Sequence, residues 1–178
     1  MRAFVAIPVP EDIRDRLEAL QAELPVGRHS DADTFHVTLA FLGEEPVKRI
    51  EAAHEALEAL RAAPFPVRLD GLGTFGGREA KTLFAAVAPS EPLAALHRKV
   101  RSLLHGAGLM PDRERFRPHV TLSRFRPGES GDPALGRFLA RHVGFGSAPF
   151  PVTEVVLYRS HLTAKGAVHE PLADYPLA

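Results

Sequence analysis

The tetrapeptide His-Val-Thr-Leu occurs twice in this chain, inside Phe35-His36-Val37-Thr38-Leu39 and inside Pro118-His119-Val120-Thr121-Leu122. This repetition constrains the fold more than any other feature. Valine, threonine, leucine and phenylalanine suit a pleated surface, and the polarity alternates with period two, so each copy reads as a β-strand. On such a strand His36 and Thr38 share one face and Val37 and Leu39 the other; His119 and Thr121 likewise stand opposite Val120 and Leu122. Each strand therefore presents an imidazole and a hydroxyl while burying its aliphatic residues.

The rest of the chain repeats around these strands. Residues 2–8 read as a strand, and Pro10-Glu11-Asp12 opens a helix with the stripe Ile13, Leu17, Leu20 and Leu24. A polar stretch from Gly27 to Asp33 leads to the first histidine strand, about 34–42. Pro46 starts a second helix running to about Ala63, with Ile50, Ala53, Leu57 and Leu60 on one face, and Phe65 to Thr74 reads as a strand. The order then restarts. Lys81 to Ala88 is a strand, and Ser90 caps a helix whose inner face is Leu93, Leu96, Val100, Leu103 and Leu104. The second histidine strand covers about 116–125, a shorter helix runs from Asp132 to about Val143, Pro151 to His161 is a strand, and Val168 to Leu177 supplies one more.

Three letter matches support a duplication. Ala3-Phe4-Val5-Ala6-Ile7 resembles Leu83-Phe84-Ala85-Ala86-Val87, a shift of 80; the histidine phrase recurs at a shift of 83; and Ala63-Pro64-Phe65-Pro66-Val67 recurs unchanged as Ala148-Pro149-Phe150-Pro151-Val152, a shift of 85. The expectation is an α+β fold of two β-α-β-α-β repeats, about 2–74 and 81–161 with a closing tail 162–178, in one domain spanning 1–178. A pseudo-two-fold axis would then set the two histidines across one cleft.

Composition narrows the chemistry. The chain of 178 residues has 22 basic and 22 acidic side chains, so any polyanion must be held by a local patch. The absence of cysteine excludes disulfides, thiolate nucleophiles and cysteine metal sites. The opening stretch is interrupted by Pro8 too early for a signal peptide, and no apolar run nears the roughly 20 residues of a membrane span. We expect a cytoplasmic protein without membrane association. The charge balance and lack of a heptad repeat favour a monomer.

Two imidazoles near pKa ~6.5 can stand one neutral and one protonated, so one takes a proton from an attacking hydroxyl while the other protonates the leaving oxygen. Thr38 and Thr121 beside them are hydroxyl donors for non-bridging phosphate oxygens. This set suits phosphodiester chemistry, and a cyclic phosphodiester best. The competing readings are a duplicated core strand and an incomplete metal site. The other histidines (His29, His54, His97, His105, His142, His161, His169) read as surface residues, with a reservation for His161. Arg113-Glu114-Arg115-Phe116-Arg117 and Arg124-Phe125-Arg126 form a candidate phosphate-and-base surface, or else a solvated edge with arginine–glutamate pairing. Arg124, five residues past His119, faces away from the cleft on a regular strand. It serves the site only if the strand bulges or ends near Ser123.

Paired His-x-Thr strands in a duplicated chain resemble the two-histidine phosphoesterases. The stretches from Phe35 to Glu44 and from Arg117 to Arg124, with Arg2-Ala3-Phe4-Val5-Ala6-Ile7 and Leu157-Tyr158-Arg159-Ser160, are similar to the bacterial RNA 2′,3′-cyclic phosphodiesterase (2′-5′ RNA ligase) branch. The resemblance implies a bilobal fold with antiparallel-rich sheets lining a central cleft. It also implies hydrolysis of a terminal 2′,3′-cyclic phosphate to a 2′-phosphomonoester, with no metal and no cofactor. By the same resemblance His36 is the proton donor to the leaving oxygen, His119 the base, and Thr38, Thr121 and Arg124 bind the phosphate. The implied partner is RNA with a cyclic-phosphate end, such as a tRNA fragment, and joining such an end to a 5′-hydroxyl is a secondary reaction. Alternatives within the resemblance are a small substrate such as ADP-ribose 1″,2″-cyclic phosphate, a 2′-5′ oligonucleotide, or a non-catalytic nucleotide-binding module.

Overall fold

The structure is a computed structural model describing residues 1–113 and 115–178. Among the described residues ten strands and four α-helices keep the expected elements in their expected order, with a two-residue strand added at Arg28–His29 in the stretch read as polar loop and two expected strands each divided. In the first half, β1 (Arg2–Pro8), α1 (Glu11–Gln21), β2 (Arg28–His29), β3 (His36–Glu44), α2 (Val47–Leu57), β4 (Phe65–Val67) and β5 (Leu69–Phe75) succeed one another. The second half has β6 (Thr82–Val87), α3 (Glu91–Gly106), β7 (His119–Arg124), α4 (Pro133–Arg141), β8 (Phe150–Val152), β9 (Glu154–Thr163) and β10 (Gly166–Pro176). The strands form two antiparallel four-stranded sheets, β10-β9-β1-β3 and β2-β7-β6-β5, and the pair β4-β8.

Each sheet draws on both halves of the chain. The last strand of each repeat pairs with the first strand of the other, β5 with β6 and β9 with β1. The crossover is made where the repeated Phe-Pro-Val segments meet. Phe65 pairs with Val152, Val67 with Phe150, and Pro66 stands opposite Pro151, so the pseudo-two-fold axis passes between the two prolines. Proline has no N–H to give a ladder, and each of these strands stops after three residues. The single strands expected from Phe65 to Thr74 and from Pro151 to His161 are therefore each divided in two.

The register corrects one sequence match. Thr38 pairs with Ala6 and Thr121 with Phe84, while Phe41 pairs with Phe4 and Arg124 with Thr82. The first strands thus correspond at a shift of 78, not the 80 of the letter match. Both shifts are even, so a similar alternation of side chains survives a displacement of two residues.

The helices cover the outer faces and share one core with both sheets. Ile13, Leu17 and Leu20 of α1, Ile50, Ala53 and Leu57 of α2, and Leu93, Leu96, Val100 and Leu104 of α3 are buried, the branched side chains contributing on the order of 1.5–3 kcal/mol each and the Ala53 methyl less. The Ser90 hydroxyl accepts from Leu93 N–H at 3.2 Å, the expected cap. Helix α2 stops at Leu57 rather than Ala63. Arg61 donates there to the carbonyls of Glu58 and Leu60 at 2.8 Å, and Leu60 still reaches the core through a tight turn. Among the described residues, no helix is long and apolar enough to cross a membrane.

Candidate active site

The two histidine strands do not pair with each other. β3 is the edge of one sheet and β7 lies inside the other, and the two approach across the cleft. Both histidines are held in the same way. His36 Nδ1 lies 2.6 Å from the carbonyl of Thr34, and His119 Nδ1 lies 2.6 Å from the carbonyl of Arg117. A carbonyl only accepts, so Nδ1 carries the proton and donates in both rings. In the neutral form Nε2 of each is left with its lone pair, the tautomer suited to taking or returning a proton.

Aromatic rings wall both imidazoles. Phe4 packs on His36 at 4.7 Å between centroids, with His169 edge-on at 5.1 Å and Tyr158 at 6.5 Å. On the other side Phe75 and Phe84, stacked at 4.2 Å, lie 4.9 and 5.2 Å from His119. Gly73 makes room for this stack, since a Cβ there would fall 2.5 Å from Phe84 Cζ. Burial is the main influence on both histidines. It pushes His36 down to about 4, helped by the nearby charges of His169, His119 and Arg124. His119 is also lowered, by burial and then by Arg124.

A bulge resolves the position of Arg124. Phe84 faces Thr121 but Leu83 faces Ser123, which leaves Leu122 as the extra residue of β7. Leu122 and Ser123 are consequently both buried, and Arg124 returns to the face of His119 and Thr121. β3 carries the equivalent bulge at Leu39: Ala6 faces Thr38 and Val5 faces Ala40, so Phe41 comes round to the face of His36 and Thr38. Phe41 and Arg124 occupy matching positions on opposite sides of the cleft. One side of the cleft thus offers a half-exposed phenyl ring and the other a guanidinium.

A family model for the 2′-5′ RNA ligase superfamily matches residues 9–164. The chain belongs to the 2′-5′ RNA ligase superfamily. It is 34% identical to a protein named RNA 2′,3′-cyclic phosphodiesterase from Geobacillus stearothermophilus, over 98% of this chain and 56% of that protein, so it spans little more than half of that relative. A protein of the same name from Thermus thermophilus is 31% identical over 99% of this chain and 90% of its own length. Structures of Escherichia coli LigT, in the apo form and complexed with 3′-AMP, are 26% identical and cover 99% of this chain and 96% of theirs, with TM-scores of 0.78 and 0.77. The 2′-5′ RNA ligase superfamily assignment agrees with the resemblance read from the two motifs.

Beyond the motifs of the 2′-5′ RNA ligase superfamily, several readings change. His169 is not a plain surface residue, because β10 pairs with β9 and brings it against His36. His29 hydrogen-bonds Ser123 and the carbonyl of Leu24. Of the two expected stacking rings, Phe125 is buried by the change of phase after the bulge, and one face of Phe116 is covered by His97 at 3.8 Å. Phe41 is the exposed aromatic residue that the sequence reading passed over. Its signal was present: both motifs have a notable side chain five residues after the histidine. Arginine–glutamate pairing by Glu114 falls outside the described residues. Ion pairs elsewhere engage Arg14, Arg49, Arg68, Arg98 and Arg141, and among the described residues none engages Arg113, Arg115, Arg117, Arg124 or Arg126.

Proposed function

We propose that the protein hydrolyses RNA 2′,3′-cyclic phosphate ends to 2′-phosphomonoesters, with His36 and His119 as acid and base. The observation that carries this reading is the pair of imidazoles with the same backbone-fixed tautomer on strands that face each other, each with a threonine hydroxyl two residues on. The relatives' names support the substrate class. In the reaction His119 Nε2 takes a proton from water as its oxygen bonds phosphorus. The bond from phosphorus to O3′ breaks, and His36 Nε2–H protonates O3′. Thr38, Thr121 and Arg124 hold the non-bridging oxygens, whose charge grows in the transition state. The base of the terminal nucleotide rests on Phe41, an aromatic face suited to stacking without sequence preference. Both histidines come from one chain, so a monomer suffices, and we place its work in the cytoplasm.

The donor role of His36 has an electrostatic condition. In the protein alone His119 is the more readily protonated of the two, since burial lowers His36 further. A phosphate anion against the buried imidazole opposes that effect and raises its pKa. The pH profiles should show this. Below about 4 both histidines are protonated and the base is lost; above the lowered value of His119 both are neutral and the acid is lost. The profile of kcat/KM, which reports the free protein, is therefore expected to peak on the acidic side of 6.5. The profile of kcat should lie at higher pH. A kcat/KM maximum well above 6.5 would contradict this account of the site.

Phe41→Ala tests the stacking surface. Loss of one stacked base is worth about 1–3 kcal/mol, which predicts a KM roughly 5- to 150-fold higher for a cyclic-phosphate dinucleotide. An abasic ribose cyclic phosphate should be unaffected. Equal effects on both substrates would mean that Phe41 only covers Phe4. A preference of the wild type for ADP-ribose 1″,2″-cyclic phosphate over an RNA end would favour the small-substrate reading.

A further inference from the structure

The bulge that delivers Arg124 is braced from behind, and among the described residues its counterpart on β3 is not. Gln21 and Ser123, at 6% and 0% exposure, are the two buried polar side chains among the described residues. Both serve the bulge of β7. Gln21, the last residue of α1, donates from Nε2 to the carbonyl of Leu122 at 2.7 Å and to that of Ser30 at 2.9 Å. The backbone N–H of Ser30 also donates to the Leu122 carbonyl, at 2.9 Å. His29 donates from Nε2 to the carbonyl of Leu24 at 2.9 Å, and its Nδ1 hydrogen-bonds the Ser123 hydroxyl at 2.7 Å. Gly27, at φ +86°, lets the same loop press on the chain beyond the bulge, where a Cβ would fall 2.6 Å from the Phe125 ring.

On β3 the matching position to Ser123 is Ala40, and among the described residues β3 ends its sheet with no strand outside it. A bulge of this form thus exists without any polar brace. Burying polar groups is favourable only when they are well paired, so their concentration behind one bulge calls for a reason. The charges supply one. Arg124 pairs in register with Arg28 on β2, and its charge acts on both His36 and His119. Like charges directly opposite on neighbouring strands oppose the pairing, and the cleft itself adds positive charge once a histidine is protonated.

We infer that Gln21, His29 and Ser123 are positioning residues that hold Arg124 on the cleft face against this repulsion, and so set the affinity for the substrate phosphate. The inference rests on the proposed role of Arg124 in binding phosphate. It is tested by binding of cytidine 2′-monophosphate, together with kcat/KM on a cyclic-phosphate RNA, in Ser123→Ala, Gln21→Leu, Arg124→Ala and the corresponding double variants. Ser123→Ala reproduces the residue found at Ala40, so the bulge keeps a side chain that such a bulge already accommodates. Each brace substitution is expected to weaken binding of the monophosphate about 10-fold, the scale of a small misplacement of a binding group. In the Arg124→Ala background neither should weaken it further. Wild-type affinity in the Ser123→Ala variant, or losses that simply multiply with that of Arg124→Ala, would overturn the inference. Binding that follows the expected pattern in a protein that turns over no cyclic phosphate would overturn the hydrolytic reading and leave the brace standing.

Discussion

Replacing either His36 or His119 with alanine is expected to lower kcat/KM on a 2′,3′-cyclic phosphate end by about 10³-fold, within the range for loss of a positioned acid or base. The double variant should be little worse than the single ones, because the proton taken and the proton given belong to one displacement. The two variants separate on an activated substrate. A p-nitrophenyl phosphodiester has a leaving group that departs without protonation, so His36→Ala should regain much of its loss there, while His119→Ala should not. The reverse pattern would exchange the two roles. Kinetics on the RNA end and on the activated ester, with purified variants, provide the comparison.

The second large effect is expected at Arg124. Alanine there should cost about 10²-fold in kcat/KM, the scale for removing one preorganised donor from the charge that develops on a transferring group. Lysine should restore only part, because it keeps the charge but lacks the planar fork that grips two phosphate oxygens. Arg117, exposed on the segment before β7, differs in this respect: its carbonyl, not its guanidinium, holds His119. Steady-state kinetics of Arg124→Ala, Arg124→Lys and Arg117→Ala would check the ordering. A loss at Arg117 as large as that at Arg124 would place the phosphate elsewhere on the arginine-rich surface.

Most of the site was legible from the repeated phrase. Period-two alternation places His36 with Thr38 and His119 with Thr121 regardless of context, because the opposite face must be buried. The position of Arg124 was legible only as a condition, since a bulge depends on how the neighbouring strand registers. The letters of Leu122 and Ser123 do not state that both turn inward, and Ala40 beside Leu39 says no more. The exchange of β5 and β9 between sheets was hidden for a similar reason: a strand's partner is a long-range choice. The Phe-Pro-Val segments marked the place of the exchange without naming it. Gln21 and His29 were out of reach in the sequence because each acts on a residue about a hundred positions away.

The most direct test of the central claim is an end-group assay on a short RNA bearing a 2′,3′-cyclic phosphate, incubated with the wild-type protein in the presence of EDTA. Rapid conversion to a 2′-phosphomonoester with a free 3′-hydroxyl is expected, because in the proposed mechanism His36 protonates O3′ while Thr38, Thr121 and Arg124 carry the phosphate charge. Accumulation of a 3′-phosphomonoester, or activity that vanishes in chelator and returns with a divalent metal, would contradict it.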